Sequence, residues 1–577
     1  MQELMLTNKA VARGAYEAGV KVVSSYPGTP STEITEECSL YNEFHTEWAS
    51  NEKVATEVAV GAAIAGSRAM TCMKHVGVNV AADPLFTVSY TGVNAGLVVC
   101  VADDPSMHSS QNEQDSRIYA RAAHIPMLEP GDSAEAKVFT KLAFDISEEY
   151  DTPVFLRLTT RVAHSRGYVT LEERVEKPEK PYEKNAMKYV MMPLGAKKRH
   201  QAVEAREIAL KSAVNGFPQN KILARSKKVG IVASGAVYQF VAEATTASVF
   251  KPAFVYPLCT DAIKKFAKTV DELLVIEELE PFLENQIKLS GIACKGKEIT
   301  GLQGELSVEL VAQKLRDNGY GGILSADYSV TYNEEKVPPR PPVMCPGCPH
   351  RSVFYVLSRL KLKVTGDIGC YTLGSNAPLS SIDCCVCMGA SIGMSHGFNL
   401  SLKQPESTVA VIGDSTFIHS GVNSLISSVY NKCDSTIIIL DNSITGMTGH
   451  QENPATGKTI KGEQTYRLDL VELVKACGAN SVQTVDAYDI AEVERIVKEE
   501  TARKGVSVIL ARRPCALLPG MFKNPIPCKV QGCKGCKACL KIGCPAIENL
   551  GTTVKINSTL CVGCGVCKQM CKFGAIK

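Results

Sequence analysis

Residues 408–415 read Thr-Val-Ala-Val-Ile-Gly-Asp-Ser, and residues 436–442 read Thr-Ile-Ile-Ile-Leu-Asp-Asn. Each run is apolar up to its last residues, which is typical of a strand buried on both faces of a parallel sheet. The helical pattern over residues 421–431 supplies the crossover between them. Because parallel strands end at one edge of a sheet, we expect Asp414 and Asn442 to lie side by side at a ligand-binding edge.

The same alternation of short apolar runs and helical patterns covers most of the first 520 residues and predicts an α/β fold with parallel sheets. Two connecting stretches interrupt it: residues 172–199, rich in Lys, Glu and Pro, and the proline-rich segment 336–342. A third break, at residues 524–527, precedes a cysteine-rich tail. The predicted domains therefore span residues 1–170, 200–330, 340–520 and 525–577.

The composition narrows the class of protein. The chain has 577 residues and a net charge of +3, which argues against a broad nucleic-acid footprint. It contains no apolar run of about 18 residues and no secretory signal pattern, so we expect no membrane contact. Twenty-three cysteines without a secretory signal point to a reducing compartment, and we predict a cytoplasmic protein.

The tail carries two runs of cysteines with the ligand spacing of a two-cluster bacterial ferredoxin. Three close cysteines hold three corners of one 4Fe–4S cluster, and a remote cysteine completes the other cluster. The predicted ligands are Cys533, Cys536, Cys539 and Cys571 for the first cluster, and Cys561, Cys564, Cys567 and Cys544 for the second. The spacing departs from the usual pattern by an extra residue before Cys544 and by Lys572 in the place of a proline.

Paired zinc sites and a disulfide knot are the alternatives for these cysteines. Zinc usually takes two CxxC pairs or cysteine with histidine, and the tail contains no histidine. The spacing therefore favours iron–sulfur clusters, which exchange single electrons.

The two strand ends also predict a cation site. Asp414 and Asn442 offer oxygen ligands, the carbonyl of Ile444 follows as a third, and Mg²⁺ prefers this ligand type. Gly413 and Ser415 complete the predicted diphosphate-binding set, because glycine admits a close backbone approach and the following helix start favours negative charge. Taken separately, either strand end would be an ordinary turn.

Together, Gly-Asp and Asn at a separation of one βαβ unit resemble the thiamine-diphosphate motif. The loop 442–451 and the segment 26–33, Tyr-Pro-Gly-Thr-Pro-Ser-Thr-Glu, are similar to the corresponding parts of 2-oxoacid:ferredoxin oxidoreductases. With the ferredoxin tail fused behind, essentially the whole chain resembles the alpha subunits of indolepyruvate ferredoxin oxidoreductases.

The resemblance implies a role for each domain. Residues 1–170 would bind the aminopyrimidine of thiamine, 340–520 its diphosphate and Mg²⁺, and 525–577 the clusters, while 200–330 would be a transketolase C-terminal-like domain. Glu52, which heads a small-residue helix, would be the catalytic carboxylate that activates the cofactor. A first-turn glutamate that stabilises the helix dipole is the alternative.

Two further positions are implied as substrate contacts. Thr29 would hold the substrate carboxylate, and the alternative is a turn with a helix cap at Ser31 or Thr32. His75 or Lys74 would face the substrate at the end of a short apolar strand, and the alternative is a loop residue with satisfied hydrogen bonds.

The resemblance also implies a third 4Fe–4S cluster close to thiamine. Its ligands would come from three distant pieces of the chain: Cys345, Cys348, Cys370 and Cys515. The alternative is a turn near the cofactor, with the other two cysteines buried as small apolar residues.

The implied activity is oxidative decarboxylation of aryl 2-oxoacids, with indole-3-pyruvate preferred. Coenzyme A would accept the acyl group, and the products would be an aryl-acetyl-CoA and carbon dioxide. Electrons would pass singly to external ferredoxin, and a smaller beta subunit would complete a heterotetramer of two alpha and two beta subunits. Three alternatives stay open: a different 2-oxoacid range, a non-oxidative thiamine decarboxylase, and an electron-relay subunit with an inactive thiamine site.

Overall fold

The computed structural model describes residues 1–323, 341–402, 408–523 and 525–577. The chain forms two compact units, Met1–Tyr332 and Asn333–Lys577. Most of the proline-rich segment predicted at 336–342, and Asn524 at the third predicted boundary, lie outside the described residues. The four predicted domain boundaries stay predictions.

The first unit contains two large sheets and a short strand pair. Its strands are β1 (Gln2–Leu6), β2 (Val22–Ser25), β3 (His45–Trp48), β4 (Ala69–Lys74), β5 (Leu97–Asp103), β6 (Met127–Leu128), β7 (Val154–Thr159), β8 (Arg166–Thr170), β9 (Lys221–Leu223), β10 (Val229–Val232), β11 (Ser248–Lys251), β12 (Phe254–Tyr256) and β13 (Glu272–Val275).

The helices of this unit cover both faces of the sheets. They are α1 (Thr7–Glu17), α2 (Thr32–Ser39), α3 (Glu52–Ala65), α4 (His75–Thr91), α5 (Ser116–Ala122), α6 (Ser133–Glu149), α7 (Thr160–Ala163), α8 (Ala186–Tyr189), α9 (Pro193–Ala213), α10 (Gly235–Ala244), α11 (Thr260–Ala267), α12 (Phe282–Leu289), α13 (Lys297–Thr300) and α14 (Val308–Asp317).

The larger sheet has the strand order β12-β6-β7-β5-β4-β2-β3. All its pairs are parallel except β12 with β6. Central strands β4, β5 and β7 are buried along their whole length, as expected of a parallel sheet covered on both faces. The carboxyl ends of β2, β3, β4 and β5 therefore form one edge, which positions the residues that follow them.

The smaller sheet has the order β13-β10-β11-β9, in which β10 is parallel to both neighbours and β9 is antiparallel. It occupies the region predicted as the transketolase C-terminal-like domain. Strand β12 comes from the same region, yet it pairs with β6 of the larger sheet.

The prediction of a connecting stretch at 172–199 is only partly right. Residues 171–185 have no helix or strand, but α8 begins at Ala186 and α9 at Pro193. Proline suits the first turn of a helix, where its missing N–H costs nothing. Helix α9 is mostly polar and buries only a narrow stripe that includes Val203, Arg206 and Leu210, so its apolar pattern is weak in the sequence.

The second unit is built on a five-stranded parallel sheet with the order β14-β15-β16-β18-β17. Its strands are β14 (Lys363–Thr365), β15 (Thr408–Gly413), β16 (Ser435–Asp441), β17 (Ser481–Asp486) and β18 (Val506–Arg512). Its helices are α15 (His350–Leu360), α16 (Ala390–Ser401), α17 (Asp414–Thr416), α18 (Val422–Tyr430), α19 (Leu470–Ala476) and α20 (Ile490–Thr501). The two buried strands predicted within residues 408–415 and 436–442 are β15 and β16.

The tail has little regular structure, as expected of a small domain held by metal clusters. It contains the hairpin β19 (Ile547–Asn549) with β20 (Val554–Ile556) and the short helix α21 (Val566–Gln569). Backbone bonds between Lys529 and Lys577 pair the two ends of the tail in antiparallel fashion.

Across the described residues, the helices are too short or too polar for any of them to span a membrane.

Two glycines near the end of α3 give a stability prediction. Gly66 caps the helix at φ +111°, and a Cβ there would overlap the carbonyl oxygen of Lys180, whereas Gly61 is exposed with open space around it. Gly66→Ala should destabilise the first unit by at least about 1–2 kcal/mol, the left-handed penalty. Gly61→Ala should stabilise it by up to about 1 kcal/mol. Thermal unfolding of both variants tests this, and equal shifts would contradict it.

Candidate active site

Glu52 lies at the ligand edge of the larger sheet. It follows β3 as the first residue of α3 and is only 5% exposed. The side chain of Asn51 caps the helix by accepting a hydrogen bond from Val54 N at 2.9 Å, which fixes where the helix begins. A buried carboxylate at a helix start gains from the helix dipole, so both interpretations of Glu52 agree with this position.

Helix α4 approaches the Glu52 side chain closely. A Cβ on Gly77 would lie 2.7 Å from Glu52 Oε1 and 2.8 Å from Cγ. The carboxylate is therefore confined against the backbone of α4, and only glycine leaves room for it. The small-residue helix predicted after Glu52 is α3, which buries Ala55, Ala59 and Ala63.

The loop that holds Thr29 packs on Lys74 at the same edge. A Cβ on Gly28 would contact Lys74 Cβ at 3.0 Å, and the Thr29–Pro30 peptide is cis. Ser31 is the cap residue of α2, but its hydroxyl accepts no hydrogen bond from the helix and instead donates to Gly28 O at 2.8 Å. The predicted substrate residue Thr29, half-buried, therefore sits beside the end of β4.

Lys74 and His75 end β4 and begin α4, and both are buried. Burial lowers the pKa of Lys74 to about 8, although Asp104 lies 4.0 Å from its ammonium and opposes the shift. Lys74 Nζ donates to Ser109 O at 2.7 Å. Burial also lowers the pKa of His75, which keeps it neutral, and its Nδ1 finds no hydrogen-bond partner among the described residues.

The second unit brings Asp414 and Asn442 together. Asp414 Oδ2 accepts a hydrogen bond from Ser443 N at 2.9 Å, which joins the end of β15 to the loop after β16. Asn442 Oδ1 lies 3.3 Å from Ile444 N. Asp414 therefore lies against the loop that carries Asn442 and Ile444, at the carboxyl edge of this sheet.

The charges at this edge fit a divalent cation. Burial, and then the neighbouring Asp441, raise the pKa of Asp414 to about 8. Arg512 pairs with Asp441 at 2.9 Å, while Asp414 accepts hydrogen bonds from the backbone N–H groups of Ser415 and Ser443. A buried carboxylate pair beside one counter-cation favours an added positive charge, and oxygen ligands suit Mg²⁺.

Polar contacts continue from Ser415 into the loop. The Thr445 hydroxyl donates to Ser415 Oγ at 2.9 Å, and Asn453 Nδ2 donates to Thr445 Oγ1 at 3.2 Å. The ring of Tyr371 fills the space that a side chain on Gly413 would need, with 2.6 Å to the Cβ position. Gly413 therefore has a packing role, and its contact with a diphosphate stays a prediction.

The structure gathers the four cysteines of the predicted third cluster next to this loop. Cys515 N donates to the carbonyl of Asn442 at 2.9 Å, and a Cβ on Gly446 would lie 3.5 Å from Cys370 Sγ. Burial, then Cys515 and Cys345, raise the pKa of the Cys370 thiol to about 11.

Cys348 belongs to the same group. Burial raises its pKa to about 12, and the thiols of Cys345 and Cys370 add to that effect. Cys348 N donates to Cys345 O at 3.1 Å in the turn that begins α15. Cys348 is thus influenced by Cys345 and Cys370, and Cys370 by Cys345 and Cys515, so the four thiols lie in one region, as a shared cluster would require.

The thiols of the predicted second cluster line one cavity. They are Cys544, Cys561, Cys564 and Cys567. Cys348 and Arg351 line the same cavity, so it adjoins the predicted third set. Cys528 also lines it, and its backbone N–H donates to Cys561 Sγ at 3.4 Å. Cys528 was not among the predicted ligands, although it lies only five positions before the first tail run.

The first predicted set also converges, on a more open part of the tail. Burial raises the pKa of Cys539, and its neighbours Cys536, Cys533 and Cys571 raise it further. Cys571 Sγ accepts a hydrogen bond from Ala575 N at 3.2 Å, a contact common at cluster thiolates. Cys536 is exposed.

Arg351 joins the second and third sets and was not predicted either. Its guanidinium is buried and donates to the carbonyls of Met344 and Cys345 on one side and of Ile542 and Gly543 on the other. Its sequence position, directly after Cys345–His350, was visible, but its partners in the tail lie about 190 residues away.

No three His, Cys, Asp or Glu side chains of the described residues converge in the manner of a ligand set for a single metal ion.

Three known families match parts of the chain. Residues 13–216 match "Pyruvate flavodoxin/ferredoxin oxidoreductase, thiamine diP-bdg", and residues 367–511 match "Thiamine pyrophosphate enzyme, C-terminal TPP binding domain". Residues 554–577 match "4Fe-4S binding domain". The fold and the site thus place the chain in the class of thiamine-diphosphate-dependent 2-oxoacid:ferredoxin oxidoreductases that bind iron–sulfur clusters.

Whole-length relatives narrow this class. The "Indolepyruvate oxidoreductase subunit IorA" of Archaeoglobus fulgidus is 40% identical over 99% of this chain and 97% of its own length. The subunit of the same name from Pyrococcus horikoshii is 39% identical over 100% and 96%. The chain belongs to the family of these IorA subunits. A solved 2-oxoglutarate:ferredoxin oxidoreductase from Magnetococcus marinus matches 55% of this chain and 65% of its own, with 16% identity and a TM-score of 0.46.

These matches confirm the predicted fold class, enzyme class, thiamine diphosphate and iron–sulfur content. The individual site residues, the Mg²⁺ ion and the number of clusters stay predictions, to which the geometry of the two sheet edges and the cysteine sets adds support.

The contact between Gly77 and Glu52 gives a prediction about activity. Gly77→Ala should displace the Glu52 carboxylate and lower thiamine-dependent turnover of a 2-oxoacid at least about tenfold, because misplacing a catalytic group by 1 Å costs about a hundredfold. Helix propensity alone would favour alanine, so thermal stability should fall much less than turnover does. Gly61→Ala, the matched change on α3, should keep full turnover. Equal activity of both variants would contradict the role of this contact.

Proposed function

We propose that the chain catalyses the oxidative decarboxylation of aryl 2-oxoacids, with indole-3-pyruvate preferred. Coenzyme A takes the acyl group to give an aryl-acetyl-CoA. Each turnover releases carbon dioxide, one proton and two electrons, and the electrons leave one at a time to ferredoxin. The names of the IorA relatives support the indole substrate.

One observation carries the redox half of the proposal. The loop that would hold the diphosphate is bonded directly to a cysteine of the third set, through Asn442 O and Cys515 N at 2.9 Å. A non-redox thiamine enzyme has no need of thiols at that position. Electrons released at the cofactor would therefore enter the third cluster first.

The chain's own residues divide the work at the cofactor. Bound thiamine diphosphate supplies the electron sink that lets a 2-oxoacid lose carbon dioxide. Asp414, Asn442 and the carbonyl of Ile444 would hold Mg²⁺ on its diphosphate. The confined carboxylate of Glu52 would exchange a proton with N1′ of the aminopyrimidine.

The substrate side is assigned to the residues beside β4. The hydroxyl of Thr29 and the buried ammonium of Lys74 suit the carboxylate of a 2-oxoacid. His75 is neutral at neutral pH, and its Nδ1, unpaired among the described residues, suits a polar group of the ligand.

The positions of the three cysteine sets support an order for electron transfer. The third set adjoins the thiamine loop, the second shares a cavity with Cys348, and the first lies on the open side of the tail. We therefore propose three 4Fe–4S clusters that transfer electrons in series from thiamine to an external ferredoxin. A smaller beta subunit, in an assembly of two alpha and two beta subunits in the cytoplasm, completes the proposal.

An oxygen-free assay of the purified complex tests the activity. With indolepyruvate, viologen reduction should require both thiamine diphosphate and coenzyme A, and phenylpyruvate and pyruvate should be slower. Glu52→Gln should abolish turnover and leave the cluster absorption unchanged, because it removes only the proton exchange. Release of aldehyde without viologen reduction would replace the proposal by a non-oxidative decarboxylase, and absence of any turnover by an electron relay.

Iron content tests the third cluster. Each cubane holds four irons, so the chain should contain about twelve iron atoms, and about eight would exclude the third cluster. Cys370→Ser should remove about four of them together with one reduced-cluster signal in electron paramagnetic resonance. Cys477→Ser, at a half-buried cysteine outside the three sets, should leave the iron content unchanged.

A further inference from the structure

The iron–sulfur tail is strongly basic. Residues 525–577 contain eight lysines but no arginine or aspartate, and Glu548 is their only acidic side chain. The eight lysines are Lys529, Lys534, Lys537, Lys541, Lys555, Lys568, Lys572 and Lys577. All are exposed, and none forms an ion pair with a described residue. We call this set the lysine face.

The lysine face carries more positive charge than is required to neutralise the clusters. Two four-iron clusters held by eight thiolates carry a charge of about −4. Seven excess lysine charges therefore leave the loaded tail positive, whereas the whole chain has a net charge of only +3. The lysine side chains point to solvent, and internal neutralisation does not account for them.

Three members of the lysine face adjoin the first cysteine set in the chain, whereas Lys568 follows Cys567 of the second set. Lys534 and Lys537 lie between its three close cysteines, and Lys572 directly follows Cys571, at the position where a proline is usual. Cys536, within this set, is exposed. An open groove beside Cys533 is flanked by Lys529 and Lys555.

The second set has the opposite surroundings. Its cavity is closed by Gly347, Cys348 and Arg351 of the thiamine-binding part of the unit, and the side chain of Val562 packs directly on Gly347, in the space that a Cβ there would need. A soluble protein can therefore approach the first set much more closely than the second. The proposed exit for electrons therefore lies beside Lys534, Lys537 and Lys572.

We infer that the lysine face docks an acidic one-electron carrier protein directly over the first cluster. This inference rests on the proposed function, because it assumes that electrons leave through the tail. Complementary charge steers diffusional encounter and can raise association rates by about 10- to 1000-fold at low salt. Lys534 and Lys537 stand on either side of Cys536 in the chain, so a carrier held by them would have its cluster near Cys536.

The test reverses charge next to the first set. The triple variant Lys534→Glu, Lys537→Glu, Lys572→Glu is compared with the control Lys361→Glu, Lys432→Glu, Lys504→Glu. The control makes the same charge change at exposed lysines, each in a loop that leads into the amino end of a strand of the same sheet. That is the sheet edge opposite to Asp414 and Cys515.

Two rates are measured for each complex: reduction of an acidic two-cluster ferredoxin and reduction of methyl viologen. At low salt, the ratio of ferredoxin to viologen rate should fall at least tenfold in the test variant and stay at the wild-type value in the control. The wild-type ferredoxin rate should fall steeply with ionic strength, and this dependence should flatten in the test variant. Equal ratios in the two variants would overturn the inference.

Three further measurements distinguish lost docking from a lost cluster and from a dissociated complex. Redox titration by electron paramagnetic resonance should find the first cluster still reducible, since a lost cluster would slow the rate without any change in docking. Size-exclusion chromatography should show the complex intact, and its dissociation would assign the lysine face to the partner subunit and reject the inference. Stopped-flow transfer from dithionite-reduced complex to oxidised ferredoxin needs no 2-oxoacid, so the docking can be tested even if the proposed activity fails.

Discussion

A buried guanidinium with no acidic partner among the described residues determines how the second unit is organised. Arg351 donates to four carbonyls, two beside Cys345 and two beside Cys544, and thereby fixes the tail against the start of α15. Burial lowers its pKa, and the nearest groups able to offset its charge are cysteine thiols. A buried cation without a counter-charge is costly, so loaded clusters with their thiolates would stabilise this junction. Cluster binding and packing of the tail are therefore linked.

In the first unit, the buried charged group at the sheet edge is the carboxylate of Glu52. Glu52 is buried, and three features set its position: the Asn51 cap, the start of α3 and the absent side chain at Gly77. Each feature is local to one strand–helix connection, yet all of them meet at the carboxyl edge of one parallel sheet. The same edge topology in the second unit places Asp414 beside the loop of Asn442. Parallel strands thus position chemistry contributed by distant parts of the chain.

Short-range patterns made much of this predictable. The apolar runs before Asp414 and Asn442 indicate buried strands, and the cysteine spacing indicates the two tail sets without any structure. The helix Pro193–Ala213 was missed in part because its buried stripe is narrow. Cys528 and Arg351 were missed because their roles depend on partners that only folding brings near. The packing of Tyr371 against Gly413 is another such case, because no sequence pattern predicts which aromatic ring will pack against a given glycine.

The two tail sets have unequal surroundings, and this difference would give electron transfer through the tail one direction. A free two-cluster ferredoxin lacks such a difference. In an isolated domain, either cluster can accept or donate at the surface. Here the second set faces Cys348 and Arg351, while the first keeps an exposed cysteine between exposed lysines. The positive charge of Arg351 between the second and third sets would stabilise reduced clusters on the inner side, where the electrons arrive. An acidic carrier is attracted only to the outer side, so packing and charge together separate the entrance from the exit.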